Sequence, residues 1–157
     1  MRKQILSQST PTAAEKNLYE QNAPLGYLLR KANNAHRTLV EKELADFKLT
    51  LPQFSVLKFL SRYPGISNAD LARLSLLTPQ TVCVIVKNLE KMGALQKAPH
   101  SIHGRIQHIT LTPKGKNLLE QSLVRVDQIQ EMLGGAIPAK ELATIKQWLI
   151  HVAKLVE

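Results

Sequence analysis

The chain has 157 residues, 44% of them hydrophobic, which excludes general disorder and allows one domain with a sizeable core or a small domain with helical extensions. Lysine and arginine outnumber aspartate and glutamate by 21 to 12, and the formal charge of +9 fits nucleic acid, an acidic membrane surface or a merely basic protein. The single cysteine, Cys83, excludes an intrachain disulfide framework and a multi-thiolate metal site. No run is apolar enough for a signal-peptide core or for the ~18 residues of a membrane span, so the expected compartment is the reducing cytoplasm.

Residues 1–23 are polar, contain Pro11 and are followed by Pro24, and they read as an arm with weak structure of its own. Leu25, Leu28, Leu29, Ala32, Leu39, Val40 and Leu44 then mark one stripe of a long amphipathic helix. A short link places Pro52 in the first turn of a second helix, with Phe54, Leu57 and Leu60 inward, stopped by Tyr63, Pro64 and Gly65. Ser67 is an N-cap for a short third helix carrying Ala69, Leu71, Ala72 and Leu74. Thr78 caps a fourth, with Pro79 in its first turn and Gly93 at its C′ position. The inward face of that helix is Val82, Ile85, Val86, Leu89 and Met92.

Two extended stretches follow, Leu95 to Pro99 and Ile106 to Leu111, joined by the polar segment HSIHG. The helical period returns from Pro113 to about Leu133 through Leu118, Leu119, Leu123, Val126 and Ile129, until Gly134 and Gly135 break it. A last helix follows Pro138 and carries Leu142, Ile145, Leu149, Val152 and Val156. The expected fold is mainly α with a small β-hairpin wing: a winged helix-turn-helix over residues 50–112, flanked by helices at 24–49 and 113–157. The flanking stripes are remote from one another in sequence, and dimerisation supplies the partner surface they need.

A helix fits the major groove of B-DNA, where base edges present distinguishable donors and acceptors, while the preceding helix braces it and the hairpin reaches the neighbouring backbone or minor groove. With the core side of the fourth helix assigned, the face left for DNA is Thr78, Gln80, Thr81, Cys83, Val84, Lys87 and Asn88. Its TPQT start offers hydroxyls and an amide to base edges or phosphates, and Gln80 has the geometry for a two-point contact with adenine. Cys83 and Val84 suit thymine methyls, and Lys87 and Asn88 suit phosphate. The same residues also satisfy plain capping and a solvated helix face. Charge favours the DNA reading: from Ser67 to Lys116, Arg73, Lys87, Lys91, Lys97, Arg105, Lys114 and Lys116 face only Asp70 and Glu90, a local charge of +5.

The segments LTLPQFSVL, ADLAR, TPQTVCVIVKNLEKMG and GR followed by ITLTPKG, in this order and spacing, resemble the winged-helix core of the MarR (multiple antibiotic resistance regulator) family. The similarity runs from about Leu25 to the end and is most specific between Leu49 and Leu119. The resemblance implies a homodimer with intertwined terminal helices on a pseudo-palindromic operator of double-stranded DNA. It also implies repression relieved by a small aromatic or phenolic acid near the junction of the dimerisation helices and the winged domain. His36, with Arg30, Asn33 and Arg37 nearby, is a candidate for a ligand carboxylate there; a core or interface histidine is the alternative. Two departures stand out. Cys83 and Val84 occupy places where the family commonly carries Thr-Arg, and His100 and His103 stand where acidic residues usually precede the wing arginine, here Arg105. His103 and Arg105 are the candidate DNA contacts of the wing.

Some members of the family sense oxidants through a cysteine near the first helix; Cys83, on the recognition helix, reads as a space-filling side chain. Trp148 reads as an interface anchor. No Gly-rich phosphate loop or nucleophile–base pair is present, and His100, His103 and His108 make a poor zinc set. No enzymatic activity, cofactor, metal or membrane partner is therefore expected. The competing function is a ligand-independent winged-helix protein that coats DNA, whose binding is salt-labile and indifferent to sequence. RNA binding has little support, because the wing has no aromatic residue to stack on bases.

Overall fold

The computed structural model describes residues 22–99, 107–135 and 137–156, and the chain divides into two units, one ending at Thr38 and one beginning at Leu39. The described part of the first unit is the beginning of helix α1 (Leu25–Leu44). The second unit holds the end of α1, a 3-10 turn (Ala45–Phe47), α2 (Leu51–Arg62), α3 (Asn68–Leu74), α4 (Pro79–Lys91), β1 (Leu95–Pro99), β2 (Gln107–Leu111), α5 (Pro113–Gly134) and α6 (Ala139–Ala153). The architecture is mainly α-helical, with one antiparallel two-stranded sheet among the described residues.

Helices α2, α3, α4 and α5 each start where a short polar side chain captures a free backbone N–H. Thr50 and Gln53 form a reciprocal capping box at α2, Ser67 Oγ accepts from the Asp70 N–H at 3.1 Å, and Thr112 Oγ1 accepts from the Gly115 N–H at 3.0 Å. Proline in the first turn of α2, α4 and α5 adds a preset φ at no cost in hydrogen bonds. Helix α2 packs against α3, α4, α5 and β2, which explains why Val56 is buried alongside Phe54, Leu57 and Leu60: its burial exceeds a single stripe. Leu44, Leu71, Val82, Leu89 and Leu119 belong to the same core, and Ser122, buried within α5, donates to the Leu118 and Leu119 carbonyls at 2.8 and 3.0 Å. The strands pair Leu95 with Leu111 and Lys97 with Ile109, so Leu95, Ile109 and Leu111 present one apolar face to that core.

Helix α3 ends in a Schellman motif: the Leu76 N–H donates to the Arg73 carbonyl at 3.2 Å and the Leu77 N–H to the Ala72 carbonyl at 2.9 Å. Leu76 holds the left-handed C′ position at φ 54° while 92% exposed. A branched side chain there costs about 1–2 kcal/mol and recovers no burial. Leu76→Gly relieves that strain against a smaller loss of chain entropy, so a net gain of about 0.5–1 kcal/mol is expected, seen as a Tm a few degrees higher. An unchanged or lower Tm would show that Leu76 is unstrained.

Candidate nucleic-acid interface

Helix α4 is amphipathic along its whole length. Val82, Ile85, Val86 and Leu89 are buried, whereas Thr78, Gln80, Thr81, Cys83, Val84, Lys87 and Asn88 are all exposed, Val84 by 58%. The seven residues assigned to DNA from the sequence thus lie on one side of one helix. At its start the Thr81 N–H donates to Thr78 Oγ1 at 3.2 Å, and the two threonine hydroxyls lie 2.8 Å apart. The hydroxyls therefore stabilise the helix end and each other, and they keep spare acceptor capacity for a further partner. Cys83 is a free thiol.

The far end of α4 is tied to two neighbours. Glu90 forms an ion pair with Lys97 of β1 at 2.7 Å, both partly buried, which fixes the wing base against the helix. Lys114 Nζ donates to the Met92 carbonyl at 2.6 Å, and Thr112 Oγ1 donates to the Gly93 carbonyl at 2.7 Å. His103 and Arg105, together with His100, lie outside the described residues.

The ligand candidates Arg30, Asn33, His36 and Arg37 all lie on α1 within the first unit, His36 half-buried and the other three exposed; the Arg30 guanidinium stacks 5.9 Å from the centre of the Tyr27 ring. The second unit has a cavity of about 420 Å³ between the end of α2, β2 and the first turns of α5. Leu60, Pro64, Leu111, Leu119 and Leu123 give it apolar walls, and Ser61, Thr110, Lys116 and Glu120 supply its polar groups. None of these polar residues was singled out as a ligand candidate from the sequence: helical periodicity marks Leu119 and Leu123 as inward, but only the tertiary meeting of α2, β2 and α5 makes a cavity of them. Among the described residues there is no cluster of three metal-ligating side chains and no single helix long and apolar enough to cross a membrane.

Residues 49–106 match the MarR family. The HTH-type transcriptional repressor Rv2887 of Mycobacterium tuberculosis is 39% identical over 101 residues, covering 64% of this chain and 73% of that protein. The crystal structure of Rv2887 in complex with p-aminosalicylic acid superposes with a TM-score of 0.66 at 31% identity, covering 84% of this chain and all (100%) of that one. Its complex with DNA gives a TM-score of 0.64 at 33% identity, over 83% and 98% of the two chains. BpsR of Bordetella bronchiseptica, whose DNA binding is regulated by 6-hydroxynicotinic acid, gives 0.75 at 25% identity over 93% and 99%. The helix-turn-helix, its wing strands and the flanking helices, taken with these matches, place the chain in the MarR family of winged helix-turn-helix transcriptional regulators.

Proposed function

We propose that this chain is a sequence-specific DNA-binding repressor that works as a homodimer and is released from its operator by a small aromatic or phenolic acid. The observation that carries the reading is the division of α4 into a core side and a fully exposed side. Gln80 reads an adenine edge, Cys83 and Val84 pack on thymine methyls, and Thr78 and Thr81 reach base edges or phosphates at the helix start. Lys87 and Asn88 meet phosphate, joined by His103 and Arg105 from the wing. Two such helices occupy successive major grooves about 34 Å apart on a pseudo-palindromic site. The DNA complex of Rv2887 supports the nucleic-acid partner, and the p-aminosalicylic acid complex of Rv2887 together with the 6-hydroxynicotinic acid regulation of BpsR supports the effector class.

Residues 50–112 form the DNA-binding domain, and the helices over 24–49 and 113–157 form the dimer. No residue of α6 is buried, and Ile145, Trp148, Leu149 and Ile150 lie exposed along it. Apolar surface of that extent is covered by the second copy. The protein acts in the cytoplasm by binding alone, without catalysis or cofactor.

The cavity of the second unit is a seat for the acid: its volume lies at the small end of ligand pockets, its walls are leucine-rich, and Lys116 offers a cation to a carboxylate. Arg30, Asn33, His36 and Arg37 are the ligand candidates of α1. An effector weakens operator binding only by its differential affinity for the two states of the protein. Titration of salicylates and hydroxynicotinates into the operator complex tests this reading. The parent should release DNA, whereas Ser61→Trp, which fills the cavity from its rim, should bind operator normally and need at least about tenfold more acid. Equal release from both would place the effector elsewhere, and no release by any acid would leave a ligand-independent DNA-binding protein.

A further inference from the structure

We propose that Lys114 is a positioning residue for the recognition helix: from the head of α5 it sets the tilt at which α4 meets the operator. The inference rests on the DNA-binding reading of α4.

Helix α4 closes in a Schellman motif, with the Gly93 N–H donating to the Glu90 carbonyl at 2.8 Å and the Ala94 N–H to the Leu89 carbonyl at 2.9 Å. The carbonyls of Met92 and Gly93 lie beyond the reach of the helix's own N–H groups. Both are taken by the turn that opens α5: Lys114 Nζ donates to Met92 at 2.6 Å and Thr112 Oγ1 to Gly93 at 2.7 Å, while the Thr112 N–H donates to the Ala94 carbonyl at 3.0 Å. The Lys114 ammonium also stands at the negative end of the α4 dipole, so its contact is charge-assisted.

A lever follows from the length of the helix. The 13 residues of α4 span about 20 Å. A tilt of about 5° about the clamped end therefore moves the Thr78–Thr81 end by nearly 2 Å, well beyond the tolerance of a hydrogen bond to a base. Lys114 is exposed and basic, which by itself suggests a phosphate ligand, but one of its ammonium's three N–H donors already holds a carbonyl of the protein, which anchors the side chain on the end of α4. Losing it should therefore cost discrimination between sequences rather than general affinity for DNA.

The test compares the full-length parent with Lys114→Met, which keeps the aliphatic stem, and Lys114→Arg, which keeps the charge and a donor. Affinities for operator and scrambled duplex are measured over a range of salt, and amide hydrogen exchange at Gly93 and Ala94 is followed in the free protein. In Lys114→Met the operator-to-scrambled ratio should fall about fivefold to tenfold, a factor of the size one ordinary intramolecular hydrogen bond carries. Exchange at the two amides should quicken by a similar factor, the salt slope on scrambled DNA should stay at the parental value, and Lys114→Arg should behave as the parent. An equal weakening on both duplexes, with the slope reduced by about 0.9, would make Lys114 a phosphate ligand and overturn the proposal. Unchanged exchange and unchanged selectivity would overturn it too. A parent that did not prefer operator would sink the repressor reading, and parental exchange at Gly93 and Ala94 in Lys114→Met would separately sink the clamp.

Discussion

Gly115→Ala is expected to destabilise the protein by about 2–4 kcal/mol and lower its Tm by roughly 5–15 °C. Helix propensity alone predicts the opposite, because alanine in place of glycine inside a helix gains about 1 kcal/mol. Sterics win at this position. A Cβ on Gly115 would lie 1.9 Å from the Ala94 carbonyl oxygen and 2.9 Å from its carbon, and both are backbone atoms that no rotamer change removes. Ala94 is fully buried between the end of α4 and the start of β1, so relief requires α5 to back away from that junction. Such a shift breaks the contacts of Thr112 with Gly93 and Ala94, each worth about 1 kcal/mol. Thermal unfolding of the two proteins decides the matter, and a Tm equal to or above the parent's would mean that the junction is looser than described.

The second large effect is on DNA. Gln80→Ala should lower discrimination between operator and scrambled duplex by about 1–3 kcal/mol, leaving scrambled binding nearly unchanged, because a two-point base contact carries sequence information. Lys87→Ala, two turns further along the same exposed side, should weaken both duplexes alike and reduce the salt slope by about 0.9. Fluorescence anisotropy on both duplexes at several salt concentrations separates the two behaviours. If Gln80→Ala behaved as Lys87→Ala is expected to, or if both variants bound operator like the parent, the DNA face would be misplaced.

Chain punctuation made much of the second unit legible in advance. Ser67 and Thr78 cap α3 and α4, Pro79 opens the latter, and Gly93 takes the left-handed C′ position that ends it. These residues act through local backbone chemistry, which a sequence displays directly. The 3.6-residue period likewise separated Val82, Ile85, Val86 and Leu89 from the exposed side of α4. Val56 was missed because α2 is packed from several directions, and Leu76 because a left-handed position is advertised by glycine and not by leucine. The stripe of α6 behaves differently again: the helix forms, yet Ile145 and Leu149 are exposed, the surface that the proposed dimer would cover. The cavity walls and the Lys114 contact were invisible because they join residues far apart in the chain, Leu60 with Leu119 and Met92 with Lys114.

The most direct test of the whole account is binding of the purified protein to the DNA upstream of its own coding region against a scrambled duplex, at two salt concentrations, with and without an aromatic acid. Selectivity of ~10³ or more that survives the salt increase and collapses with one of the acids is the predicted result. Equal, salt-labile binding to both duplexes, indifferent to every acid, would contradict it and describe a protein that coats DNA without reading it.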